Sequence, residues 1–253
     1  DGGLALRVYR EINVPFVVSV RNTDVNIYFK YFPHLRRLAS EIIAAAEKVI
    51  FVAPTHKDKV VKYLSPKAKS VLLSKVAIVP NGVNSYWIEN IAEAKQGIST
   101  DGLDFLYVGS LDKNKNVSRL VRTLDEARVK NGGKISLKVV GPPGDDFSSF
   151  LRLSKKRDWV EYLGKVSDPQ ELQKLYRRAD FFIMLSSRET FGLVYIEAMT
   201  QGTPVVFTKG QGIDGYFTEK TIGVPFTLGV DNGASMLEKI RHLQEKYAET
   251  PAN

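Results

Sequence analysis

Two glutamates separated by seven residues, Glu189 and Glu197, flank the stretch of this 253-residue sequence that is best equipped for chemistry. It reads Ser186-Ser187-Arg188-Glu189-Thr190-Phe191-Gly192-Leu193-Val194-Tyr195-Ile196-Glu197-Ala198-Met199. An apolar run ends at Leu185, a polar loop follows, and a helix is predicted to begin near Phe191, with Glu197 about two turns inside it. Free amides at a helix start form an anion site, and Gly192 lets a phosphate come close to the backbone. A carboxylate on each side of such a turn can reach hydroxyls on both sides of a diphosphate, a sugar on one side and a ribose on the other. Taken singly, each glutamate has a plainer reading. Glu189 would complement a helix dipole, and Glu197 would be a solvent-facing helix residue.

The elements that must position these residues alternate along the chain. Strands are predicted at Phe16–Val20, Val49–Val52, Val76–Val79, Phe105–Val108, Leu137–Val140, Val160–Leu163, Phe181–Leu185 and Pro204–Phe207. Helical periodicity falls near 34–47, 55–64, 116–130, 147–156, 168–178, 192–201 and 234–247. In the first of these, Leu35, Leu38, Ile42 and Ala45 mark the apolar face. Continuous apolar strands between amphipathic helices imply a parallel sheet in an α/β fold. Pro80-Asn81-Gly82 and the polar stretch up to Gly102 break the pattern. The chain is therefore divided into 1–84, a linker over 85–102, and 103–253. Ligands of such sheets sit at the carboxyl ends of strands. The loops to inspect follow Val108, Val140, Leu163, Leu185 and Phe207.

Composition narrows the class. Hydrophobic residues at 43% and charged residues at 25% are usual for a globular protein. With no cysteine there is no disulfide or thiolate metal site, which fits a reducing cytoplasm. The longest apolar runs are strand-sized, and no leader-like run opens the sequence. His34, His56 and His242 are scattered without ligand-spaced neighbours, so no histidine-based metal site is expected. The net charge of +8 is uneven: 14 Lys+Arg face 8 Asp+Glu in residues 1–99, against 22 and 20 thereafter. A solvated basic surface accounts for this, as does attraction to an anionic membrane leaflet or a lipid-phosphate acceptor. No nucleic-acid-binding signature accompanies the charge, and no nucleic acid partner is expected.

Glu189 and Glu197, followed by Ala198-Met199 and Gly202-Thr203-Pro204-Val205-Val206, closely resemble the E-x7-E signature and the "EAM..GTPVV" run of retaining glycosyltransferases of family 4, the group 1 type common in bacteria. The resemblance runs from about Pro15 to Leu243. Pro80-Asn81-Gly82-Val83 is similar to the family's interdomain "PNGV" turn. The stretch Phe105 to Asn116 resembles the strand, glycine loop and lysine that face the donor diphosphate. Val139-Val140-Gly141-Pro142 resembles a "vGxG" strand end. Gly164-Lys165-Val166 resembles the loop that approaches the base. Gly141 and Gly164 also read as plain turn glycines, and the turn-rich loop Gly212 to Tyr216 reads equally as a surface loop or as part of the site.

The resemblance implies a GT-B fold of two Rossmann-like domains and transfer of a sugar from a nucleoside-diphosphate donor to an acceptor hydroxyl with retention. A glycan or lipid-linked acceptor, peripheral contact with the inner face of an anionic membrane, and neither cofactor nor metal are expected with it. Lys115 and the amides of Phe191–Leu193 would stabilise the departing diphosphate beside Gly109, Glu189 would orient the donor sugar, and Glu197 would bind ribose. Two departures stand out. Many members carry arginine where this chain has Ser110, and Arg188 is a candidate for the missing charge, with a solvent arginine as the plainer reading. Many carry a histidine in an "HGxD" context where this chain reads Ser19-Val20-Arg21-Asn22-Thr23-Asp24. Arg21 and Asp24 become candidates for the first domain's cleft, and Asp24 is equally well read as a helix N-cap. A sugar-nucleotide epimerase of the same architecture and a non-catalytic nucleotide-sugar-binding subunit remain alternatives. The helix-like Leu4–Glu11 and only three strands before residue 84 suggest that the first domain is incomplete and the chain shortened at both ends. Weak or absent transfer and self-association through this remnant are the expected consequences.

Overall fold

Three β-branched runs, Val17–Val20, Lys48–Phe51 and Val76–Ile78, pair as strands β1, β2 and β3 of a parallel sheet in that order. The computed structural model describes residues 1–92, 102–217 and 222–249. One compact unit consists of Asp1–Asn81, Glu189–Phe191 and Asp214–Tyr216, and the remaining described residues form a second.

In the first unit the strands alternate with α1 (Gly2–Ile12), α2 (Phe29–Tyr31), α3 (Leu35–Ala45), α4 (Pro54–Val61) and α5 (Pro66–Lys75). Val49 and Phe51 of the central strand are fully buried among Val25, Phe29, Ile43, Val60 and Leu72. Each such side chain contributes roughly 1.5–3 kcal/mol by leaving water. The α3 face is rotated from the sequence reading. Ile43 and Ala46 enter the core, whereas Leu38 is exposed. The periodicity missed α5, although Ser65 caps it by accepting from the Ala68 amide at 3.3 Å and Pro66 fills its first position. A π-helical turn over Asp24–Tyr28 was likewise not legible.

The second unit holds β4 (Leu103–Val108), β5 (Ile135–Val140), β6 (Val160–Gly164), β7 (Phe181–Met184), β8 (Val205–Thr208) and β9 (Gly223–Phe226), all parallel, in the order β6-β5-β4-β7-β8-β9. Its helices are α6 (Ser85–Glu89), α7 (Val117–Lys130), α8 (Phe147–Ser154), α9 (Pro169–Arg178), α10 (Leu193–Thr200) and α11 (Gly233–Glu249). Every residue of β7 and β8 is buried, as continuous apolar runs covered on both faces require. The unforeseen β9 contains Pro225, which argues against a strand in sequence but is tolerated at a sheet edge. The stretch read as a linker opens on α6, whose Trp87 is buried. Residues 93–101 of that stretch lie outside the described residues.

The strand order fixes where a ligand can bind. From β4 the chain proceeds outward to β5 and β6, then returns to the other side of β4 with β7. A doubly wound sheet opens a crevice at this reversal, outside the carboxyl ends of the two strands that flank it. The loops there are 109–116 after β4 and 185–192 after β7.

Candidate functional site

The β4 loop is shaped by backbone crowding and one aspartate. Gly109 donates its amide to Val140 at 2.9 Å, and Gly141 donates to Gly164 at 2.8 Å, so the ends of β4, β5 and β6 lie against one another. Gly141 has φ 151°, and a Cβ there would lie 1.8 Å from the Gly109 carbonyl oxygen. Gly141 is thus a close-approach glycine rather than a plain turn residue. Beyond Gly109, the Ser110 hydroxyl donates to Asp112 Oδ2 at 2.6 Å, and Asp112 Oδ1 accepts the Lys115 amide at 3.0 Å. A serine at 110 thus helps to tie the turn that presents Lys115, a half-buried residue. Asp112 went unnoticed in the sequence, although aspartate before a turn is a known signal.

Two asparagines join this loop to the one after β7. The Asn114 side chain donates to the Arg188 carbonyl at 2.9 Å and accepts the Arg188 amide at 3.1 Å. Asn116, in a left-handed conformation with φ 58°, donates to the Leu185 carbonyl and the Ser187 hydroxyl, each at 2.8 Å. Both flanking main chains are therefore held while the Arg188 residue itself stays exposed. Neither asparagine was singled out in the sequence, because nothing local signals a hydrogen bond spanning about seventy residues.

The helix after this loop starts later than predicted. Gly192, at φ 77°, is the N-cap of α10, with no side-chain cap, so the first amides without intrahelical acceptors are those of Leu193 and Val194. Phe191 precedes the cap and is buried, with its ring 5.3 Å from that of Tyr216 in the first unit. Glu189, also counted with the first unit, is buried rather than a surface acid, and its carboxylate accepts the Thr190 amide at 3.0 Å.

Glu197 sits just over one turn into α10, half-buried rather than facing solvent, and accepts the Tyr176 hydroxyl at 3.1 Å. Burial raises its carboxyl above the ordinary 4.5, and the Tyr176 hydrogen bond works against that. The folded chain therefore binds this proton more tightly than the unfolded chain. Stability falls as pH rises from 4.5 through the raised value, and above it the charge is a standing cost. Glu197→Gln can still accept the hydroxyl, and we expect it to raise the melting temperature by ~2 °C near pH 7.5 but hardly near pH 4. A gain confined to acid pH in scanning fluorimetry would contradict this sign.

Lys165 is exposed and Val166 half-buried after β6, two strands from β4. In the first unit, Arg21 and Asp24 line a cavity of about 270 Å³ with Ser19, Tyr28, Arg36 and Leu38. Residues 22 and 23 are helical, and the Asp24 carboxylate accepts the Arg21 amide at 2.7 Å. Asp24 thus reaches back from inside the helix, as the acid of a capping box does, and is not the N-cap itself. Among the described residues, no three or more of His, Asp and Glu come together as a metal site would require. Nor is any helix among them long and apolar enough to cross a membrane.

A sheet reversal at β4 and β7, followed by a lysine loop and a helix N-terminus, can be compared with known proteins. The family model "Glycosyl transferases group 1" matches residues 89–252. The chain belongs to that family. An uncharacterized glycosyltransferase of Methanocaldococcus jannaschii is 27% identical over 212 residues, 79% of this chain and 53% of that protein. The alpha-monoglucosyldiacylglycerol synthase of Streptococcus pneumoniae is 24% identical over 251 residues, 94% of this chain and 56% of that one. The chain thus spans about half the length of these group 1 glycosyltransferase relatives. Anabaena HepE, solved in complex with UDP, superposes with a TM-score of 0.69 at 16% identity over 98% of this chain and 67% of its own. At that identity the likeness concerns fold, and the fold is GT-B-like, with two Rossmann-like parallel-sheet units.

Proposed function

We propose that this chain is the donor-binding part of a retaining family 4 glycosyltransferase. It would move a sugar from a nucleoside-diphosphate donor to an acceptor hydroxyl in cell-surface polysaccharide or glycolipid synthesis. One observation carries the reading: Lys115 and the uncapped start of α10 follow the two strands that flank the sheet's reversal, and their loops are tied by Asn114 and Asn116. Negative charge gathering on a departing diphosphate would meet the Lys115 cation and the amides of Leu193 and Val194 without reorganisation, the arrangement that lowers barriers most. Arg188, its main chain fixed by Asn114, supplies the charge that Ser110 does not. Glu189 orients the donor sugar and Glu197 accepts from ribose hydroxyls. The acceptor attacks from the face that the diphosphate leaves, and the leaving phosphate takes the acceptor's proton, so no residue serves as covalent nucleophile.

HepE's recorded complexes with UDP and UDP-glucose support a UDP-sugar as the first donor to test. The cavity with Arg21 and Asp24 suits an acceptor site. The basic surplus of residues 1–99 supports peripheral contact with an anionic membrane from the cytoplasm, and the exposed Leu4, Ile12, Val14 and Val17 support self-association.

Titration calorimetry tests the division of labour. Glu197→Ala is expected to weaken UDP binding by about 1.5–3 kcal/mol, the range for a hydrogen bond to a charged group. Glu189→Ala should spare UDP binding and weaken binding of the sugar nucleotide. Equal losses of UDP affinity in both variants would sink the assignment.

A further inference from the structure

We propose that Tyr176 is a positioning residue for Glu197, holding one carboxylate oxygen so that the other faces ribose, with Trp87 bracing it from α6. The inference rests on the ribose role assigned to Glu197 above.

Tyr176 lies on α9 and is fully buried. A buried phenol hydroxyl needs a partner, and this one donates to Glu197 Oε2 at 3.1 Å. Its ring has little freedom to move elsewhere. Trp87 packs edge-on at 5.6 Å, Phe182 of β7 packs at 5.8 Å from its own side, and the Thr203 hydroxyl donates to the Tyr176 carbonyl at 2.6 Å. The Asn90 carbonyl, just after α6, accepts from Gln173 of α9 and from Gln201 beyond α10, each at 3.1 Å. The segment carrying Trp87 therefore clamps the helices that carry Tyr176 and Glu197 in one register.

The chemical consequence follows from the glutamate's length. A free glutamate samples many rotamers, and fixing one for a ligand costs conformational entropy on each binding event. With Oε2 held by the phenol, that cost is met on folding, and Oε1 is left as acceptor for a ribose hydroxyl. The phenol also favours the ionised carboxylate, the stronger acceptor, against the burial that opposes it.

The test compares UDP with 2′,3′-dideoxy-UDP, which lacks the ribose hydroxyls, by calorimetry on the full chain. Wild type is expected to prefer UDP by roughly tenfold or more, and Glu197→Ala to abolish the preference. Tyr176→Phe keeps the ring and removes only the hydroxyl. It should weaken UDP about 3- to 10-fold, leave the dideoxy nucleotide unchanged, and have no further effect in the Glu197→Ala background. Trp87→Phe, which retains a ring against Tyr176, should keep the preference. Equal weakening of both nucleotides by Tyr176→Phe, or an effect persisting without Glu197, would reduce Tyr176 to a packing residue and overturn the proposal. An undiminished preference in Glu197→Ala would remove the ribose role itself, and this inference with it.

Discussion

Gly141→Ala is expected to destabilise the second unit by roughly 3–5 kcal/mol and to abolish UDP binding with it. The added Cβ would meet the Gly109 carbonyl oxygen at 1.8 Å and its carbon at 2.6 Å. Both atoms are backbone, so no side chain can swing aside. The φ of 151° adds strain that an L residue rarely tolerates. Relief would require the Gly109 loop to withdraw, breaking its amide bond to Val140 and disturbing the Asp112 turn that presents Lys115. Gly132→Ala provides the comparison. Gly132 also has positive φ, 61°, but nothing lies within 4 Å of the absent Cβ, so only about 1–2 kcal/mol is expected there. Matching denaturation midpoints for the two variants would show that the close approach contributes nothing.

That contrast explains how much of this protein could be read from its sequence. The apolar runs announced eight of the strands because fully buried parallel strands need unbroken apolar residues, as in Phe181–Met184. β9 stayed hidden because Gly223 and Pro225 are poor strand residues that only an edge accommodates. The places of Gly109 and Lys115 after β4, and of Glu197 in the helix after β7, were legible from the strand-loop-helix pattern. Their supports were not. Asn114 and Asn116 act across the sheet reversal, and Tyr176 reads as one more apolar-face residue of α9 until its hydroxyl is seen on Glu197. Sequence spacing carries local geometry, whereas these partners are brought together by strand order alone. The same limit applies to Gly141, whose neighbour Gly109 is remote in sequence and adjacent only across the β4–β5 pair.

Acidification is expected to weaken the first unit before the ordinary carboxylate range is reached, through His56. This residue of α4 is fully buried, with the Glu189 backbone as the acceptor nearest its ring. Burial, then the Lys59 ammonium, lowers its pKa from 6.5 to about 4, while a hydrogen bond to the Glu189 backbone and the Glu189 carboxylate, both of the same unit, pull in the opposite direction. The fold thus holds a neutral imidazole that the unfolded chain protonates near 6.5. Its contribution is intact above that value and is lost as pH falls toward 4, about 3 kcal/mol across the window. His56→Leu removes the titrating group and keeps an apolar side chain in its place. It should flatten the profile between about pH 6.5 and 4. Hydrogen exchange at the buried β2 amides of Val49 and Phe51 reports on this unit directly, since both tryptophans, Trp87 and Trp159, lie in the other. If protection at these amides fell in parallel for wild type and His56→Leu over that interval, the acid sensitivity would belong to other groups, and His56 would be no more than a buried ring.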